Sequence, residues 1–210
     1  MFFSFDGVDG AGKSTQIRLL GAWLRGQGRE VVVCRDPGGT PLGEKLRSLL
    51  LDLHDVPIHR RSEMLLYMAS RAQLVEEVIR PALEADKCVI SDRYLLANVV
   101  YQAHGDGASS LSPDDVWQVG AVTVGGLMPD LVFLLDMPAE QAAARIQRSP
   151  DRMEARGLDY LERVRQGFLT EARRFPQKIA VINADQPIEG IHAEIIAAAQ
   201  RILPGPSPQP

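Results

Sequence analysis

A parallel α/β fold, three layers deep with a five-stranded sheet between helices, is predicted by two features of the 210-residue sequence. Short apolar runs alternate with longer stretches of helical spacing, and the strand-like runs are apolar throughout, as in strands covered on both faces. The strands fall near Phe2 to Asp6, Glu30 to Cys34, Lys87 to Ser91, Leu131 to Asp136 and Ile179 to Asn183. Helical spacing covers Ser14 to Gln27, Ser62 to Ala85, Ser112 to Gly125, Leu158 to Arg174 and Glu189 to Ile202. Ser112-Pro113-Asp114-Asp115 combines an N-cap hydroxyl, proline at the first helical position and an acid at the third, the marks of a helix start. The tail from Pro204 to Pro210 holds four prolines and is expected to be a disordered end.

Composition narrows the function. Net charge is −4 and 45% of residues are hydrophobic, so the chain can bury a core and displays no basic surface for polymeric nucleic acid. Cys34 and Cys88 sit inside apolar runs and read as small buried hydrophobes, with no metal or disulfide framework around them. The N-terminus lacks a signal-peptide pattern and no apolar run reaches the ~20 residues of a membrane span. A cytoplasmic protein without a membrane partner is the expectation.

The first strand leads into Gly7-Val8-Asp9-Gly10-Ala11-Gly12-Lys13-Ser14-Thr15, the P-loop pattern of two glycines, a lysine and a hydroxyl at set spacing. Glycines let backbone N–H groups converge on phosphate oxygens, and the helix that follows turns its positive dipole end toward them. Lys13 supplies charge for the β- and γ-phosphates and Ser14 an oxygen for Mg²⁺. The motif specifies a nucleoside triphosphate; kinase, switch and motor stay open at this point.

Four segments in order resemble the thymidylate kinase family: Phe5 to Thr15, Arg35-Asp36-Pro37-Gly38-Gly39-Thr40-Pro41-Leu42-Gly43, Leu65-Leu66-Tyr67-Met68-Ala69-Ser70-Arg71, and Asp92-Arg93-Tyr94 with Tyr101-Gln102. The resemblance implies a P-loop NTPase-type fold with a helical lid, one domain over residues 1–203, a homodimer packed helix against helix, and ATP with Mg²⁺ and dTMP as reactants. Gly7, Gly10, Ala11, Gly12, Lys13, Ser14 and Thr15 would cradle ATP, and Ser14 and Asp92 would serve the metal. Since the acceptor is already a phosphate, the main need is counter-charge rather than a strong base. By resemblance Arg93 holds the acceptor phosphate, with Arg47 as a second candidate, and Asp9 contacts the sugar 3′-hydroxyl. Asp36 stands where much of the family has glutamate, one methylene shorter.

Tyr67 and Arg71 lie four apart on one helix face and can address one ligand together. In the family this pair stacks on thymine and donates to its O4, where cytosine presents a donor instead. Asn98 and Gln102, amides on the next helix, are candidates for the pyrimidine edge, and Tyr101 matches a ring under the deoxyribose. Ala97 replaces the frequent serine. Six arginines between Gln141 and Arg165, interrupted by Ser149-Pro150-Asp151, suggest a lid over about 141–157 that closes on ATP and excludes water. Arg148 and Arg152 are its candidates for the transferred phosphoryl, because Gly10 occupies the position where another branch of the family carries an arginine.

Two other readings predict different chemistry. A deoxynucleoside kinase would use Asp36 as a base toward a 5′-hydroxyl. A nucleotide-dependent switch would need a guanine-reading Asn-Lys-x-Asp segment, which the sequence lacks.

Overall fold

The computed structural model of the chain describes residues 1–52, 57–105, 111–146 and 152–203. Five strands, β1 (Phe2–Asp6), β2 (Val31–Arg35), β3 (Cys88–Asp92), β4 (Leu131–Asp136) and β5 (Ile179–Asn183), form one wholly parallel sheet in the order β2-β3-β1-β4-β5. The described helices are α1 (Lys13–Gly26), α2 (Pro41–Leu51), α3 (Arg60–Leu74), α4 (Arg80–Glu84), α5 (Leu95–Val99), α6 (Pro113–Thr123), α7 (Ala139–Ala144), α8 (Leu158–Arg174) and α9 (Ile188–Gln200). The predicted tail, 204–210, lies outside the described residues.

Uniform burial holds only for the inner strands. β1, β3 and β4 are buried almost end to end, whereas the edge strands leave Val33 48% and Val181 46% exposed. An edge strand has a neighbour on one side only, so the flanking helices cover it less completely. Cys88 is accordingly buried and Cys34, on edge strand β2, only partly so.

Alternation along β1 sends side chains into two cores. Phe3 and Phe5 join Leu20 and Leu24 of α1, Val164 and Phe168 of α8 and Ile195 of α9. Phe2 joins Met64 and Met68 of α3, Ile79 just before α4, Leu95 of α5 and Val116 of α6. α6 begins as predicted, with a full capping box between Ser112 and Asp115.

The sequence reading did not anticipate α2, although its start signals are ordinary ones: Thr40 Oγ1 accepts from the Gly43 N–H at 2.9 Å and Pro41 takes the first helical position. The predicted helix from Ser62 to Ala85 is present as α3 and α4 joined by a π-helical turn, Val75–Ile79, just ahead of Pro81, which has no N–H for the helical ladder. A second π-helical turn, Val100–His104, extends α5.

Register brings the chemistry to the carboxyl edge of the sheet, where ligands bind in open parallel α/β folds. Phe5 pairs with Asp92 and Asp92 with Arg35. One step further, Arg93 N–H donates to Phe5 O (2.8 Å) and Asp36 N–H to Asp92 O (2.9 Å). Asp6, Asp36, Asp92 and Arg93 therefore emerge side by side.

Candidate active site

The loop between β1 and α1 turns through left-handed glycines. Gly10 (φ 87°) passes so close to α7 that a Cβ would lie 2.0 Å from the Ala142 carbonyl oxygen. Gly12 (φ 92°) instead faces open space, and no side chain caps the helix it begins. No side chain therefore competes with an anion at the first turn of α1. Lys13 is buried along the loop and donates to Gly7 O (3.1 Å), Val8 O (3.0 Å) and Asp9 Oδ1 (3.2 Å). Ala11 is buried, Thr15 partly so, and Ser14 is exposed.

Arg93 has a positive φ of 68°, uncommon for a residue with a Cβ. Its backbone is held by the bond to Phe5 and by Ser91 Oγ, which donates to its carbonyl at 2.7 Å. Its guanidinium donates to Asp9 Oδ1 at 2.7 Å and lies 5.0 Å over the Tyr101 ring. Burial works to raise the Asp9 carboxyl, but Arg93 and Lys13 outweigh it and hold the group well below the usual carboxylate range. Asp6 is the contrasting case. It is fully buried, neither carboxyl oxygen has a partner among the described residues, and burial pushes it up to about 7 against the pull of Arg93 and Lys13.

A pocket opens beside this cluster. It is lined by Asp9, Asp36, Arg47, Tyr67, Arg71, Arg93, Ala97, Asn98, Tyr101 and Gln102, every residue the sequence nominated for the acceptor, with Pro37, Leu51 and Met153 completing the wall. Arg71 is fully buried. It donates to Asp36 Oδ2 (2.5 Å), Asn98 Oδ1 (2.9 Å) and Tyr94 O (3.3 Å). Burial pushes the Asp36 carboxyl upward against the pull of Arg71, and its Oδ1 is buried without a partner among the described residues. Arg47 donates to Pro37 O at 2.9 Å, which ties α2 to the turn after β2.

Asp92 and Ser14, the nominated metal donors, border one cleft, and Asp92 Oδ1 has no partner among the described residues. Oxygen donors so few fit Mg²⁺, which takes one or two protein oxygens and completes its shell with phosphate and water.

The lid arginines divide. Arg148 lies outside the described residues. Arg152 donates to Leu50 O (2.6 Å) and to Glu63 Oε2, so in this conformation it is held between α2 and α3. Arg163 and Arg165 lie on α8 and tie it to Gly105 O (2.9 Å) and to Asp136 (2.7 and 2.9 Å). Sequence reasoning missed Asp6 and Glu63. Asp6 precedes the P-loop at a strand end, a position that could have drawn notice; Glu63 carries no local signal.

The family model described as thymidylate kinase matches residues 5–195. This chain belongs to the thymidylate kinase family. It is 48% identical over 197 residues to a thymidylate kinase of Rhodopirellula baltica, covering 94% of this chain and 78% of that protein. A thymidylate kinase of Deinococcus radiodurans is 47% identical over 202 residues, covering 94% and 95% of the two chains. Among solved structures, the crystal structure of thymidylate kinase from Ehrlichia chaffeensis superposes with a TM-score of 0.76 at 30% identity, over 95% of this chain and 98% of that one. No described helix is long and apolar enough to cross a membrane.

Proposed function

We propose that residues 1–203 act as one nucleoside monophosphate kinase domain that transfers the γ-phosphoryl of Mg-ATP to dTMP, giving dTDP and ADP for dTTP synthesis. The observation that carries this reading is the single pocket in which the nominated acceptor residues meet beside the P-loop. The backbone of Gly7, Gly10, Ala11, Gly12 and Thr15 cradles the ATP phosphates, and Lys13 offers its ammonium to them in place of the loop carbonyls it now contacts. Ser14 and Asp92 would hold Mg²⁺, which when bound offsets charge on the phosphates.

Arg93 presents fixed counter-charge to the acceptor phosphate, oriented beforehand by Asp9, and Arg47 approaches from α2. Asp9 also meets the 3′-hydroxyl. Tyr67 stacks on the thymine, Arg71 reads O4 with Asn98 and Gln102 along the same edge, and Tyr101 and Ala97 bound the deoxyribose. Arg148 and Arg152 act from the lid over 141–157; for Arg152 this requires release from Glu63 and Leu50. The reaction needs no membrane and no nucleic acid polymer, and the cytoplasm is its setting.

A homodimer is part of the proposal. α3 and α6 pack together and carry outward-facing Leu65 (49% exposed) and Val122 (85%), an apolar face of the kind a second copy would cover.

The test is ADP formation by the purified protein with Mg-ATP against dTMP, dUMP, TMP, dCMP, AMP, GMP and thymidine. Strong preference for dTMP is expected. Turnover of thymidine without dTMP would instead make Asp36 a base, and no turnover of any acceptor would return the chain to the switch reading.

A further inference from the structure

One wall of the pocket carries hydrogen bonds that run in one direction, and they end on a residue to which no role is assigned above. Arg71 Nη1 donates to Asn98 Oδ1 (2.9 Å), Asn98 Nδ2 donates to Gln102 Oε1 (2.6 Å), and Gln102 Nε2 donates to Glu63 Oε1 (2.9 Å). All four residues are buried, none more than 3% exposed. Glu63 Oε2 accepts from Arg152 and lies 3.7 Å from Arg156 Nη2, which supplies the positive charge a buried carboxylate needs. The series thus opens on a guanidinium, which only donates, and closes on a carboxylate, which only accepts.

This polarity has a chemical consequence. A side-chain amide presents a carbonyl oxygen and an amino group of nearly equal size, so turning it over changes what it offers while leaving its shape unchanged. With both ends charged, neither Asn98 nor Gln102 can turn without setting donor against donor or acceptor against acceptor. We infer that Glu63 is a positioning residue for base specificity: by holding Gln102, and through it Asn98, in one orientation, it determines which groups the pocket offers to a pyrimidine. Thymine and cytosine are close in shape and exchange donor for acceptor at ring positions 3 and 4, so amide orientation is information that separates them. The inference rests on the pyrimidine nucleotide reading of the pocket.

The experiment compares kcat/KM for dTMP and dCMP in wild-type protein, Glu63→Gln and Glu63→Asp. Glutamine keeps the volume and removes the acceptor-only end. The dTMP-over-dCMP ratio should fall about tenfold or more in Glu63→Gln, with the loss for dTMP appearing mainly in KM. Glu63→Asp, which restores an acceptor-only end, should recover part of the ratio. An unchanged ratio in folded Glu63→Gln, or equal losses for both acceptors, overturns the inference. Should Glu63→Gln not fold, the wild-type side-chain amide NMR signals decide: one pair each for Asn98 and Gln102 supports a single orientation, and doubled signals overturn it. Wild-type protein inactive toward dTMP would sink the functional reading itself, a result distinct from an active enzyme whose ratio ignores Glu63.

Discussion

Arg93 combines an unusual backbone with a fixed charge, and the two can be separated. Glycine adopts a positive φ freely, so Arg93→Gly removes the guanidinium without adding backbone strain, while Arg93→Ala removes it and keeps the strain. Both should lower kcat/KM for the acceptor by about a hundredfold or more, and Arg93→Gly should melt at a higher temperature than Arg93→Ala because it alone relieves the strain. Steady-state kinetics beside calorimetry checks this. Asp6 gives a pH prediction. Its carboxyl is raised from 3.8 to about 7 in the folded chain, so across that window the native state binds the proton the unfolded chain has lost. The stability this contributes is complete below the unfolded pKa and drains away as pH rises toward about 7. In metal-free urea titrations, the midpoint of wild-type protein should therefore fall more steeply with rising pH, over this window, than that of Asp6→Asn. Parallel curves would contradict the assignment. At this scale most of the pocket was readable because Arg71, Arg93 and Tyr101 stand in segments that resemble the thymidylate kinase family. Glu63 was not readable, since an acid on a helical segment is ordinarily solvated and only the tertiary structure gives it Gln102 and Arg152 as partners.

At the scale of elements, the site depends on how helices are pinned to the sheet. Glu171 on α8 is fully buried; it accepts from Trp117 Nε1 at 3.0 Å and from Arg174 at 3.1 Å, with His104 Nε2 at 3.0 Å. These contacts join α8 to α6 and to the turn that carries Tyr101 and Gln102. Burial works to raise the Glu171 carboxyl, but the hydrogen bonds from His104, Trp117 and Arg174 hold it below its ordinary value. Glu171→Ala should destabilise the fold by about 3 kcal/mol, measurable by chemical denaturation, because it removes a buried carboxylate that the Trp117 indole N–H, His104 and Arg174 share. Gly10 pins the P-loop to α7. In Gly10→Ala the new Cβ meets the Ala142 carbonyl, so ATP affinity, read by titration calorimetry, should drop at least about tenfold. The five strands were legible as apolar runs, and α6 from its capping box. α2 was passed over although Thr40 and Pro41 signal its start, and the π-helical turns have no sequence pattern of their own.

For the whole molecule, the proposed dimer predicts that sedimentation velocity will find two copies together and that Leu65→Glu with Val122→Glu will yield monomers. A wild-type monomer at micromolar concentration would count against the exposed apolar face as an interface.

The sequence by itself determined the parallel sheet and the phosphate loop, because apolar runs and glycines at set spacing encode them locally; the residues of the acceptor pocket were legible mainly through four segments that resemble the thymidylate kinase family, with the Tyr67–Arg71 spacing beside them. The tertiary structure alone decided that β2 and β5 are edges, that Arg152 rests on Glu63, and that Asn98 and Gln102 are oriented between Arg71 and Glu63. Those features join residues up to 89 positions apart, and their energies arise from burial and from the direction of hydrogen bonds, neither of which exists until the elements pack.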